Sequence, residues 1–175
     1  MSSTTSWYPL VRFPRGSASA PVVAAILLVG GVAACTETGP DGASEEDRTA
    51  IEIVLADYLP KLGNAYFTGD FDALASGAVP KEIATVRKRV HDLEMERSRT
   101  LRPMLKSFEI ERIDVWRYSN AAVTTIEVWD IDSLASGTER LLSSGTDRYR
   151  VRYQFKRRDE GWMVIDRRIE HQFES

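Results

Sequence analysis

The 175-residue chain is poor in the residues that most often carry site chemistry: it has one cysteine, Cys35, and two histidines, His91 and His171. A lone cysteine excludes an internal disulfide framework. Neither histidine has a second ligand at metal-binding spacing, so no zinc-type pattern is present and no metal is expected. A Gly-rich phosphate loop, a nucleophile elbow and a Ser-His-Asp order are likewise missing, and no cofactor is implied. With 23 basic against 26 acidic residues there is no basic excess, which argues against a nucleic-acid partner. No apolar run reaches the roughly 20 residues of a membrane-spanning helix. What the chain does have is 43% hydrophobic and 28% charged residues, with four Trp and six Tyr. That is enough for one domain with its own core plus an appendage.

The appendage is N-terminal. Arg12 and Arg15 are the only charged residues before Cys35, and residues 21–34 (PVVAAILLVGGVAA) form a short charge-free apolar run ending in small side chains. Val32-Ala33-Ala34-Cys35 resembles the lipobox of bacterial lipoproteins. The resemblance implies that residues 1–34 are a removable signal peptide and that Cys35 takes a diacylglyceryl thioether and a further acyl chain. Several acyl chains give durable attachment where one gives marginal binding. An uncleaved signal anchor, or an ordinary signal peptide with a chance cysteine, is the alternative. Residues 36–44 (TETGPDGAS) read as a flexible tether. Thr36 is not the aspartate that retains such proteins in an inner membrane. The resemblance therefore implies the outer membrane of a host with two membranes, and otherwise the outer face of the plasma membrane.

Residues 45–175 read as an α+β domain. Ser44 with Asp47 forms a loose capping box, and Ile51, Val54, Leu55, Tyr58, Leu62 and Tyr66 make an apolar stripe at helical spacing. Pro60 predicts a kink or break inside it. Thr68-Gly69-Asp70 ends this helix, and Asp70 caps a short second one over residues 71–74. A third helix is expected over 81–102, with Ile83, Val86, Val90, Leu93 and Met104 on its buried side and Pro103 disturbing its end. Strands are expected at 106–118, 121–132, 148–156 and 162–173, with a Ser/Gly loop over 133–146. The third strand alternates strictly: Tyr149, Val151, Tyr153 and Phe155 against Arg148, Arg150, Arg152 and Lys156. Three N-terminal helices then cover one face of a curved four-stranded antiparallel sheet.

Two segments carry a family resemblance. Tyr66-Phe67-Thr68-Gly69-Asp70-Phe71-Asp72-Ala73-Leu74 resembles the helix junction of SnoaL-like proteins. Tyr153-Gln154-Phe155 before Gly161-Trp162 is similar to their terminal hairpin. Both belong to the nuclear transport factor 2-like, cone-shaped α+β superfamily. Tyr149-Arg150-Val151-Arg152-Tyr153 also resembles a segment in the intermembrane-space domain of plastid division proteins. The resemblance covers about residues 45–173 and implies a fold and, by analogy, homodimers. It does not imply one activity.

Enzymes of this superfamily work inside the cone with a tuned carboxylate as base. The pocket-lining candidates here are Tyr58, Tyr66, Trp116, Trp129 and Tyr153. Glu127 shares a strand face with Val123 and Trp129. It is a base candidate if that face is inward, and a surface or paired residue, with an arginine of the third strand, if it is not. Asp166 carries the same ambiguity. Arg148, Arg150, Arg152 and Lys156 form a basic stripe that either pairs with neighbouring Glu109, Glu111 and Glu127 or meets an anionic partner. Three functions remain open: a protein-binding or assembly module, a small-molecule carrier, and an isomerase- or dehydratase-like enzyme. Binding ranks ahead of catalysis.

Overall fold

The computed structural model describes residues 42–174. The expected signal peptide, Cys35 and the tether through residue 41 lie outside the described residues. Helix α1 spans Glu45–Thr68. Ser44 caps it by accepting the Asp47 N–H at 3.1 Å, and Glu45, Glu46 and Asp47 place negative charge at its positive end. Gly69 closes it at φ 74°, donating its N–H to the Ala65 carbonyl.

Of the kink or break expected at Pro60, the break does not occur: α1 runs through it as one helix. The helix loses the backbone donor that proline lacks, yet Tyr58, Leu59 and Leu62 on either side are fully or almost fully buried, and their packing carries the chain through. The expected second helix is a 3-10 turn, Asp72–Ser76, so the domain has two α-helices rather than three.

Helix α2 spans Pro80–Arg97, with proline in its first turn where no donor is needed. It ends five residues before the expected boundary. Residues 99–105 instead open strand β1, Arg99–Trp116. Met104 is therefore not on a buried helix face and is 47% exposed. Pro103 is tolerated because β1 is an edge strand that bonds a neighbour on one side only. Strands β2 (Asn120–Ala135), β3 (Leu141–Arg158) and β4 (Gly161–Phe173) follow, and the four form an antiparallel meander in the order β1-β2-β3-β4. Most of the expected 133–146 loop is strand, with Ser133 paired to Ser143 and Ile131 to Gly145.

One face of the sheet lies under the helices. Val123, Thr125, Glu127 and Trp129 of β2 and Tyr149, Val151, Tyr153 and Phe155 of β3 turn inward, against Ile51, Leu55, Tyr58 and Leu59 of α1. Helix and sheet meet closely at Gly63, where a Cβ would stand 2.7 Å from the Pro103 carbonyl oxygen and 3.1 Å from the Trp129 ring.

A bulge in β4 decides which charges enter this interior. Phe155 pairs with Val164 but Gln154 pairs with Asp166, leaving Ile165 extra. An unbroken alternation from Trp162 and Val164 would turn Asp166 inward. The bulge shifts the phase by one, so Asp166 is exposed and Arg167 is buried.

Candidate functional site

The buried charges converge between the sheet and the helices. Glu127 of β2 is completely buried and accepts from three neutral donors: Tyr153 Oη at 2.6 Å, Thr125 Oγ1 at 2.8 Å and Trp129 Nε1 at 2.9 Å. Tyr153 and Thr125 bond one oxygen (Oε1) and Trp129 the other (Oε2); Arg167 of β4 lies 3.7 Å from Oε2 and donates through Nε to Tyr153 Oη at 3.1 Å. Both carboxylate oxygens thus face donors, as an acceptor-only group buried in a core requires. Tyr153 carries its proton toward Glu127. Burial, with the adjacent negative charge of Glu127, pushes its pKa well above the ordinary 10.0.

A second acid stands nearby. Glu82, in the first turn of α2, is 1% exposed and accepts from Tyr58 Oη of α1 at 3.5 Å. Burial raises its pKa above the ordinary 4.5, and Arg89 and Arg167 oppose that shift. Arg89 reaches from α2 to the Arg167 carbonyl oxygen at 3.4 Å. The Tyr58 and Tyr153 rings meet edge to face at 6.4 Å. Five elements, α1, α2, β2, β3 and β4, therefore contribute to one polar chain inside an apolar core.

Of the sequence candidates, the fold brings Tyr58, Glu127, Trp129 and Tyr153 together. Tyr66 packs against the same core but is only partly buried. Trp116 stands apart at the β1–β2 hairpin end, 45% exposed. Glu127 is inward and paired, but with β4 rather than with an arginine of the third strand. Asp166 faces outward and lines a hollow of about 300 Å³ with Arg152, Gln154, Arg168 and Glu170 on the opposite face of the sheet.

The basic stripe lies on that outer face with neighbours of its own. Arg150 pairs with Glu111 at 2.7 Å and Arg152 with Glu170 at 3.9 Å, Arg148 covers the Phe173 ring at 4.9 Å, and Lys156 donates to Asn120 at 3.1 Å. Sequence reasoning missed Glu82 and the inward turn of Arg167. A first-turn acid looks like ordinary helix capping, and a bulge leaves no mark in the alternation. Among the described residues, no group of three or more His, Cys, Asp or Glu is placed to hold a metal ion.

No protein-family model matches the chain, and no curated protein matches it in sequence. Solved structures do match. The chain is similar to the intermembrane space region of the chloroplast protein ARC6, at 12% identity and a TM-score of 0.60, over 73% of this chain and 98% of that one. It also matches an NTF2-like protein with a cystatin-like fold from Novosphingobium aromaticivorans, at 18% identity and a TM-score of 0.43, over 71% and 80%. A periplasmic fragment of TraM matches at 8% identity and a TM-score of 0.49, over 70% and 96%. The ARC6 likeness is one of fold alone.

Proposed function

We propose that the protein is an envelope lipoprotein, held to a membrane through Cys35, whose α+β domain binds or assembles with other proteins. One observation carries this reading: the interior where a base would have to work is filled by the protein's own side chains. Glu127 has no exposed surface and its oxygens are engaged by Thr125, Tyr153, Trp129 and Arg167. A general base must come within hydrogen-bond reach of a substrate proton, and this carboxylate has no such approach. The fold likeness to a domain of an intermembrane space supports an envelope setting.

The surface best suited to a protein partner is the free edge of β3. Pairing with β4 begins at Arg148, so among the described residues positions 141–145 pair with β2 on one side and with no strand on the other. They are exposed, uncharged, and start with Leu141 and Leu142, which are 54% and 41% exposed. Such an edge presents a row of unpaired backbone donors and acceptors to an added strand. A hollow of about 550 Å³ beside Trp162, lined also by Val54 and Met163, is the observation that favours a small-molecule carrier as the second reading.

The test is native mass spectrometry of the full chain released from its host envelope in mild detergent. A stoichiometric protein complex, lost in the double variant Leu141→Lys/Leu142→Lys, is the expected result. A monomer with a reproducible small-mass adduct that disappears in Trp162→Ala would replace this reading with the carrier.

A further inference from the structure

The hairpin joining β1 and β2 has an unusual tip. Trp116 is 45% exposed and Tyr118 90% exposed, with Arg117 between them also exposed. Arg117 and Tyr118 hold φ angles of 53° and 55°. For residues with a Cβ the left-handed region is unfavourable, which is why glycine and asparagine dominate such turns. Turn chemistry alone therefore favours other residues here. An arginine and a tyrosine held at this disadvantage, with their side chains in solvent, point to a role for the side chains themselves.

The tip stands at the end of the domain where the chain enters. The Ser119 carbonyl oxygen accepts the Arg157 N–H at 2.8 Å. The Arg157 guanidinium covers the Trp162 ring at 4.7 Å and pairs with Asp47 in the first turn of α1, to which Trp162 Nε1 also donates at 3.2 Å. The start of α1, the β3–β4 turn and the β1–β2 tip are thus joined through Arg157. Ser44, which caps α1, is the ninth residue after Cys35. Nine residues reach at most about 30 Å. A lipid on Cys35 would hold the start of α1, and the β1–β2 tip joined to it, within tether reach of the bilayer.

We propose that Trp116, Arg117 and Tyr118 seat the domain on the membrane by entering the headgroup zone of the phospholipid bilayer. The inference rests on the lipid anchor at Cys35. Trp and Tyr favour that zone because one part of each ring system is apolar and the other hydrogen-bonds to water and headgroups. Arg117 donates to lipid phosphate. Asp159 and Glu160 on the adjacent turn are exposed beside Arg157 and Arg158, so that turn carries no net charge and the contact is aromatic rather than basic in character. Two-point attachment, by acyl chain and by tip, leaves the β3 edge pointing away from the bilayer.

The experiment uses the full chain carrying Tyr118→Cys or, as reference, Glu139→Cys in the β2–β3 turn. Each is recovered from the envelope, treated with a thiol-specific nitroxide and placed in vesicles of phosphatidylethanolamine and phosphatidylglycerol. Intact mass first counts the labels. One label on a chain whose mass includes Cys35 and its acyl chains means the anchor is present; two labels, or one label without the lipid mass, remove the anchor, and the proposal falls with it. With one label, collision with a water-soluble nickel complex should be several-fold lower at position 118 than at 139, and adding Trp116→Ala should abolish the difference. Equal collision at the two positions with one label present overturns the seating while leaving the anchor intact.

Discussion

Glu127 and Arg167 show what a buried charge requires of its surroundings. Removing either leaves the other uncompensated in the core, and breaking such a pair is worth about 3–5 kcal/mol. Glu127→Leu and Arg167→Met should each lower stability by about that much, read as a drop in the urea midpoint with an unchanged slope. The double variant Glu127→Leu/Arg167→Met should lose much less than the two single losses combined, because no orphaned charge remains. Additive losses would show that the two side chains act independently. Glu82 behaves differently. Burial raises its pKa in the fold above the ordinary 4.5, so the folded protein binds more protons than the unfolded chain just above that pH. Stability contributed by Glu82 is present below 4.5 and is lost as pH rises through the raised value. Glu82→Gln should flatten the fall in urea midpoint that begins above 4.5 and leave the protein more stable at neutral pH than the parent. A steeper fall in the variant would show that Glu82 is held as a charge by Arg89 and Arg167.

Among the elements, α1 is limited by how near it comes to the sheet. A methyl at Gly63 would press on the Pro103 carbonyl, which is backbone and cannot step aside, so Gly63→Ala should destabilise by about 1–3 kcal/mol in a denaturant titration. At the end of α2 the strain runs the other way. Ser98 holds φ at 50°, and Ser98→Gly should stabilise by about 0.5–1 kcal/mol in the same assay. The elements most readable from sequence were those with one buried face and an unbroken period. The Ser44 cap, the α1 stripe and the alternation of residues 148–156 all sit where expected. Reading failed where a local rule was overridden by packing or by a shift of phase. Pro60 stays inside α1, Pro103 lies in a strand because its edge is free, and residues 141–146 are a strand exposed on both faces and so without a period. The interior site was half readable for the same reason. Tyr58, Trp129 and Tyr153 lie on periodic faces of α1, β2 and β3, while the period left the direction of Glu127 open, Arg167 depends on the Ile165 bulge and Glu82 on the packing of α2.

At the scale of the whole domain, the buried polar groups around Glu82 and Glu127 and the exposed end of β3 should lie at opposite extremes of stability. Residues 149–155 are bonded on both sides by β2 and β4 and backed by the core, and opening them exposes Glu127, Arg167 and Tyr153 together. Among the described residues, positions 141–146 pair with no β4 residue and are exposed. They are tied to β2 by its ladder and by contacts such as Thr146 to Asp130 at 2.6 Å. Amide exchange should therefore be graded along one strand. Exchange at 149–155 should need opening close to the global unfolding free energy, while exchange at 141–146 should proceed by local fraying. Hydrogen-exchange mass spectrometry of the full chain, alone and in the complex recovered from the envelope, reads this gradient directly. If a partner adds a strand to the β3 edge, the peptide spanning 141–146 should slow by orders of magnitude in the complex, with little change at 149–155, whose backbone bonds are already made. Slowing confined to the outer-face arginines, with 141–146 unchanged, would move the binding surface from the edge of the sheet to its open face.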